Sequence, residues 1–556
     1  MAVETTAPSR HRRRSLKALL QLPALFPRST AAVSFTPNPG PPTTHISLPE
    51  DILHEILQDL SAGDILNLCL CSSHLRTLLA PELYRNMHLR SSRACQSGLN
   101  LLMKRPELCG HVRKLTLRPQ WYLSWPTPDS ALDERWVAKM VRLVAPGLTR
   151  LRTFDWDGTE MPPNTLWRTL RESCPELKEL YTNVGFGDLS PRSELFNFSD
   201  LTLFSLSIRH GLPDATLFPV REELPSALWD MLLTRCPNLT ELTLCSFSAG
   251  QRIFSIDRIV EGDWPQLTSL TLGTFGYNAD FSLASQPPEM PLFLAKHPRL
   301  SALRLSWNFR RWMSPDEDPA FSVALPSTLE EFSGIAQQLP ATGWDNVSTI
   351  DLMCEPLYAA RFTQLCVALK AMPVLANLEI WVHVEPNMTA HAAFLQDLCD
   401  AAPRLEDLHF MCTTPFGKAC SHFKPLAILA RSLRSLPYLR SFALTKGHRY
   451  ADESMRASAI RIFRAVAGPA AQTQLEQVSV RWARAACRNH LKQEGTYARV
   501  TPSVAAARSA GDHVNTRDNG KGEPGQDPEI EAWERGLRAV GGAFERKYRF
   551  VLTAEN

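Results

Sequence analysis

The sequence predicts an α/β protein in two parts: a small N-terminal module of three helices, then a long array of irregular repeats, parallel strands inside and helices outside. Three observations predict it. Residues 46–84 hold three short apolar runs at helical spacing, each preceded by a capping residue. The pattern L-x-x-L-x-L then returns about thirteen times between 108 and 482, at separations of roughly 18 to 39 residues, the range in which periodicity signifies a solenoid. Between its copies lie helical stretches such as Ser226 to Leu233 and Arg361 to Leu369.

Residues 1–45 carry Arg10, Arg12, Arg13, Arg14, Lys17 and Arg28 against one acid, Glu4, and end in the Pro-rich run Thr36 to Pro42. This composition reads as a solvated tail. A mitochondrial presequence and a nuclear localisation signal at His11–Arg14 are less favoured alternatives. Ser47 and Glu50 then form a capping box, with Pro49 in the first turn and Asp51 favourable to the helix dipole. Ile52, Leu53, Ile56, Leu57 and Leu60 give that helix one broad apolar face. Ser61 with Asp64 opens a second helix, Ile65 to Leu70, and Ser72 or Ser73 a third, carrying Leu75, Leu78 and Leu79 before Pro81 stops it.

About forty residues hold too small a core for comfortable independent stability, so this trio wants a partner. Leu48-Pro49, Asp51-Ile52-Leu53, Ile56-Leu57, Leu60, Asp64-Ile65-Leu66, Leu68, Cys71-Ser72, Leu75-Arg76 and Leu83-Tyr84 resemble an F-box, with Leu75 where many F-boxes have Trp. The resemblance implies docking on a Skp-type adaptor, and through it on cullin, by residues 46–90. The implied adaptor-binding residues are Leu48, Pro49, Ile52, Leu53, Ile56, Leu57, Leu60, Leu66 and Leu68.

In the array, the clearest copies start at Leu239, Leu267, Leu300, Leu375, Leu405 and Leu439, each preceded by Pro-x. Another starts with His111-Val112, and weaker ones begin at Leu151, Leu177, Leu203, Leu329, Val347 and Leu475. Proline ends the preceding helix and favours extended chain before it, while L-x-L alternation buries one face of a short strand. Strand, turn, helix and turn, repeated, stack into a horseshoe. Residues 108–482 resemble the irregular leucine-rich-repeat arrays of fungal F-box proteins, without the Asn ladder of the regular consensus. Cys174 and Cys236 stand before Pro where other copies have Met372, Ala402 and Leu436, and read as small apolar core residues. Residues 497–528, rich in Gly, Asp, Asn and Pro, read as a disordered insert. Ile530 to Arg546 reads as a helix, followed by an apolar end, so that 529–553 forms a cap of helix and strand.

Hydrophobic content of 44% in 556 residues marks a folded chain, and 60 basic against 57 acidic side chains, net +3, argue against nucleic-acid or membrane binding by the protein as a whole. No run approaches the ~18 apolar residues of a spanning helix. Thirteen scattered cysteines without Cys-x-x-Cys spacing fit neither a disulfide framework nor zinc, and suggest a reducing cytoplasmic or nuclear compartment. The 15 histidines include no His-x-x-x-His pair, Gly185-Phe186-Gly187 lacks the rest of a dinucleotide motif, and no nucleophile elbow or P-loop occurs. Asp155-Trp156-Asp157-Gly158 reads as a turn after a strand. No catalytic residue, metal or cofactor is therefore expected.

What remains is the inner face of the array, built by residues alternating with the leucines: Lys114, Arg118, Glu179, Tyr181, Arg209, Glu241, Arg304, Glu379, Trp381, Asp407, His409 and Arg481. Mixed charge with aromatics suits protein recognition, for which Tyr181, Arg304, Glu379, Trp381, Asp407 and His409 are the candidate target-binding residues. The expected function is a non-catalytic substrate receptor of a Skp–cullin–F-box ubiquitin ligase. The alternative is an adaptor-bound scaffold acting outside a ligase.

Overall fold

The computed structural model describes residues 52, 55–57, 60, 62–119, 132–185, 189–208, 220–246, 252–255, 257–273, 289–306, 326–339, 344–383, 389–412, 429, 431–446, 455–466, 474–482, 494–499 and 537–540. The capping box at Ser47 and Glu50 lies outside them. Residues 52 and 55–57 are helical. Helix α1 (Ala62–Cys71) follows Ser61, and α2 (Ser73–Arg85) is capped by Ser72, whose hydroxyl accepts from the His74 N–H at 3.2 Å. Pro81 does not stop α2, contrary to expectation; it lies inside the helix. The lost backbone bond is outweighed by packing on either side of it: Leu79 is fully buried and Tyr84 packs against the main core. The chain forms two compact units that divide at Ile65 and Leu66, so α2 belongs to the same unit as the strands rather than to a separate module.

From α2 onward every parallel strand, two that pair with each other excepted, occupies the next place in one sheet. Strand β1 (Asn86–Leu89) starts it, α3 (Ser92–Lys104) leads to β2 (Lys114–Leu117), α4 (Glu134–Val144) to β3 (Thr153–Trp156), and α5 (Asn164–Ser173) to β4 (Glu179–Val184). Next come β5 (Leu203–Ile208) and β6 (Val220–Glu223), then α6 (Ser226–Asp230), which runs on as a π-helical turn, Met231–Arg235. The series continues with β7 (Glu241–Ser246), β8 (Arg252–Ser255), β9 (Ser269–Gly273), α7 (Glu289–Lys296), β10 (Ala302–Ser306), β11 (Glu331–Ser333) and β12 (Thr349–Leu357). It ends with α8 (Phe362–Lys370), β13 (Asn377–Val382), α9 (Thr389–Ala401), β14 (Asp407–Cys412), β15 (Ser441–Lys446), α10 (Met455–Val466) and β16 (Gln477–Trp482). Apart from β6 and β8, which pair with each other, each strand from β1 to β16 pairs in parallel with the next, giving the open, solenoid-like sheet the repeat pattern predicts. All thirteen sequence copies become strands of this sheet. Only β1 precedes them unforeseen.

The register shows why the leucines recur. Leu115, Phe154, Leu180, Phe204, Leu242, Leu270, Leu303, Phe332, Ile350, Leu378, Leu408, Phe442 and Val478 lie in one row across the sheet and are buried in a single continuous core with the helices. Each of these residues is preceded, three positions earlier, by a second core residue that closes the helix-to-strand turn. At Leu177, Leu267, Leu300 and Leu405 its N–H bonds the carbonyl three residues back. Cys174 and Cys236 are buried there as expected, and His297 and Trp264 fill the same place in other rungs. One copy is shifted. Leu201, not Leu203, opens the fifth rung, because Leu203 pairs with Glu179 and Glu241 in the row on the opposite face of the sheet.

The C-terminal expectations need correction. Residues 497–499, assigned to a disordered insert, belong to β17 (Glu494–Arg499), which pairs antiparallel with β16. Residues 537–540, assigned to a helix, form β18 (Leu537–Val540), antiparallel to β17. Gly536, Gly541 and Gly542 around Leu537-Arg538-Ala539-Val540 weaken a helix, and the open edge of β16 offers a ladder that Thr496 and Tyr497 suit. Among the described residues no helix is long and apolar enough to cross a membrane.

Candidate functional site

Two surfaces follow from the sequence, and the structure sorts the residues assigned to each. On the first, Leu48, Pro49 and Leu53 lie outside the described residues. Ile52 and Ile56, four positions apart, are 42% and 41% exposed. On α1, Leu66 and Leu70 stand on one face at 47% and 76% exposure, while Ile65 and Cys69 on the other face are buried. Leu60 and Leu68 are half-buried. Leu57 is buried, which removes it from the contact residues: it follows Ile56 by one position and therefore sits about 100° round the helix. Leu70 was missed although its i+4 spacing from Leu66 signals it. Large apolar side chains so open to water call for a covering partner.

The second surface is the inner face of the sheet. One register row runs from His88 through Thr116, Asp155, Tyr181, Ser205, Thr243, Thr271, Arg304, Ser333, Asp351, Glu379, His409 and Ala443 to Ser479. Glu179, Glu241 and Asp407 lie in the row at the strand starts. Arg118 sits just past β2, and Arg209 lies outside the described residues.

Several side chains expected to meet a target are already engaged. Arg304 holds Glu331 of the next rung through two hydrogen bonds, at 3.2 and 2.8 Å, so its fork is filled from within. Trp381 is 4% exposed, in a small cluster with Met353 and Met411, Ala443 packed against it. Wide apolar side chains on neighbouring strands cover one another at the ~4.8 Å strand spacing, and this is why an alternating position came to be buried. His409 is buried too: Nε2 lies 2.8 Å from Thr445 Oγ1 and Nδ1 4.0 Å from Glu379 Oε2. Glu379 and Tyr181 are half-buried, and Lys114 Nζ stands 5.9 Å from the Tyr181 ring centre. Burial and the acids at 241, 179 and 155 push the Tyr181 phenol up. Of the six target-binding candidates only Asp407 is exposed.

Asp155 was read as part of a turn; it is the third residue of β3 and faces inward. Burial, reinforced by Asp157, raises its carboxyl from 3.8 to about 6, opposed by a hydrogen bond with Thr116 and by Lys114 and Arg118. Asp157 takes the Arg118 guanidinium at 2.5 Å. The turn that follows is pinned: Glu134 accepts from the Thr159 N–H and hydroxyl and the Glu160 N–H, and Asn183 donates to the Gly158 carbonyl at 2.6 Å. Gly185 is required here, since a Cβ would come within 1.9 Å of the Thr159 carbonyl oxygen. These groups hold a strand end in place. Among the described residues no cluster of His, Cys, Asp and Glu is arranged to hold a metal.

Residues 46–81 match the F-box domain family, and this segment is an F-box. No curated protein matches the chain. Among solved structures it is similar to a chain from "Crystal structure of Rad7 and Elc1 complex in yeast", with 16% sequence identity and a TM-score of 0.34 over 65% of this chain and 86% of that one.

Proposed function

We propose that this F-box-bearing chain is the substrate receptor of a Skp–cullin–F-box ubiquitin ligase, its F-box gripping the adaptor and its repeat array, of leucine-rich-repeat type, holding a target protein. The observation that carries the reading is the union in one chain of an F-box at 46–81 with exposed apolar pairs, Ile52 and Ile56, Leu66 and Leu70, and a long parallel-strand array downstream. Among the described residues the array presents no cluster arranged to hold a metal, and the contribution this reading assigns to it is positional. Holding a lysine-bearing target close to a charged conjugating enzyme raises effective concentration and needs no acid or base from this chain. The site of action is the cytoplasm or nucleus.

Purification of the full chain co-expressed with a Skp-type adaptor and cullin tests it. Wild type should bring down both, and Ile52→Glu with Leu66→Glu should lose both while the circular dichroism stays the same. Adaptor without cullin would indicate the scaffold instead, and absence of both would refute the reading.

A further inference from the structure

The row of residues just before the strands is tied rung to rung by the backbone: Arg113 N–H donates to the Arg85 carbonyl at 2.9 Å, Arg152 to Arg113 at 2.8 Å, and Lys178 to Arg152 at 2.9 Å. The same ladder continues through Thr202, Thr240, Thr268 and Ser301 to Glu330, and later through Glu406 and Arg440 to Glu476. The overall charge of +3 hides a segregation along this edge. Its first four places are all cationic, the next four all hydroxyl-bearing, and of the last six, Glu330, Ser348, Ala376, Glu406, Arg440 and Glu476, three are acids and one is a cation.

We infer that Arg85, Arg113, Arg152 and Lys178 form a docking strip for an extended acidic segment of a protein partner. Rungs stand about 4.8 Å apart, so the four cations span about 15 Å, the length of about five residues of extended chain. Backbone N–H and C=O groups along the strip are spent on the ladder, which leaves recognition to side chains. Arg113 and Lys178 make no ion pair among the described residues. The other two already show the chemistry: Arg152 meets Glu176 at 3.2 Å and Arg85 meets Glu82 at 3.1 Å, at side-chain exposures of 59% and 42% for the arginines. Pairs this open to water are nearly neutral in energy, so a partner's carboxylates can exchange with them at little cost. Glu82 and Glu176 beside two of its cations, and the absence of an aromatic residue at any of its four places, favour a peptide over a nucleic acid, which would want a one-sign groove with stacking platforms. The strip assigns part of a target's chemistry under the receptor reading, but peptide binding is measured without adaptor or ligase, so either can fail alone.

Fluorescence anisotropy of the full chain with a labelled acidic peptide of about eight residues, its lysine counterpart and a single-stranded oligonucleotide tests the inference at about 20 and 150 mM salt. The acidic peptide should bind more tightly than the basic one, and more weakly at the higher salt. Arg113→Ala, Arg152→Ala and Lys178→Ala together should weaken it about tenfold, each exposed charge contributing a modest factor. Arg113→Lys with Arg152→Lys should retain binding, and Arg440→Ala, at the acidic end, should leave it unchanged. Equal binding of both peptides, an unaffected triple variant, or an oligonucleotide that binds more tightly than the acidic peptide and is lost in the triple variant would overturn the proposal. Unchanged thermal unfolding of the triple variant, whose side chains are exposed or half-buried, shows that the fold is not what was lost.

Discussion

The rungs beside the F-box and the rungs at the far end share one backbone frame and differ in almost everything on the surface. In both, a row of Leu, Phe and Ile is fully buried at the same register position and the pre-strand N–H reaches the previous rung. Near the F-box the strand starts follow Arg85, Arg113, Arg152 and Lys178, and the inner face carries a raised carboxyl at Asp155. At the far end the corresponding edge bears Glu330, Glu406 and Glu476, and the inner face closes over Trp381, Met353 and Met411. The register row and the core residue three positions before it set the frame, which leaves the outward positions of each strand free to vary in charge and size. Frame and surface are thus written in different residues of the same motif.

If that separation holds, damage to the frame should be the most costly. Trp264 is fully buried, donates to the Leu232 carbonyl at 3.1 Å, and offers its own N–H to His297 Nε2 at 3.1 Å. Trp264→Ala should destabilise the array by about 3–5 kcal/mol, read as a lower denaturant midpoint. The next effect belongs to the inner face near the F-box. Because the Asp155 carboxyl titrates higher in the folded protein than its usual 3.8, its favourable contribution is complete below about pH 4 and is lost as pH rises through about 6. Stability should fall over that window by on the order of 2 kcal/mol, and Asp155→Asn should remove most of this slope. His297 gives the opposite sign. Burial lowers its pKa from 6.5, Nδ1 stands 2.6 Å from the Phe293 carbonyl, and stability should be lost as pH falls below about 6.5, a loss absent in His297→Gln. Smallest is the Arg304–Glu331 pair. With side chains 39% and 26% exposed, a double-mutant cycle to Ala should give a coupling of about 0.5 kcal/mol, and a larger value would mean that the surface helps to set the frame.

The frame was legible because burial is periodic. L-x-x-L-x-L specifies which face of each strand is inside, and every copy became a strand. The same alternation located the inner face, so that Tyr181, Glu379 and His409 fell into one row. It could not say which inner residues are free, since that depends on neighbours about thirty positions away: Glu331 for Arg304, Thr445 for His409, Met353 and Met411 for Trp381. The cationic edge escaped for a related reason. Arg85, Arg113, Arg152 and Lys178 lie 26 to 39 residues apart in the chain, and only the ladder brings them side by side. Pro81 and the segment 537–540 were misread because local propensity was weighed without the core and the open strand edge that outweigh it.

The central claim is that adaptor binding and target binding are separable functions of one chain. Quantitative mass spectrometry of partners captured by wild type, by a form lacking residues 46–81, and by the Arg113, Arg152 and Lys178 triple alanine variant tests it most directly, with partner ubiquitination read in parallel. The account predicts that the deletion loses the adaptor, keeps targets and accumulates them unmodified, whereas the triple variant keeps the adaptor and loses targets that carry acidic segments. A partner set that vanishes with the F-box and is untouched by any change on the array would contradict it.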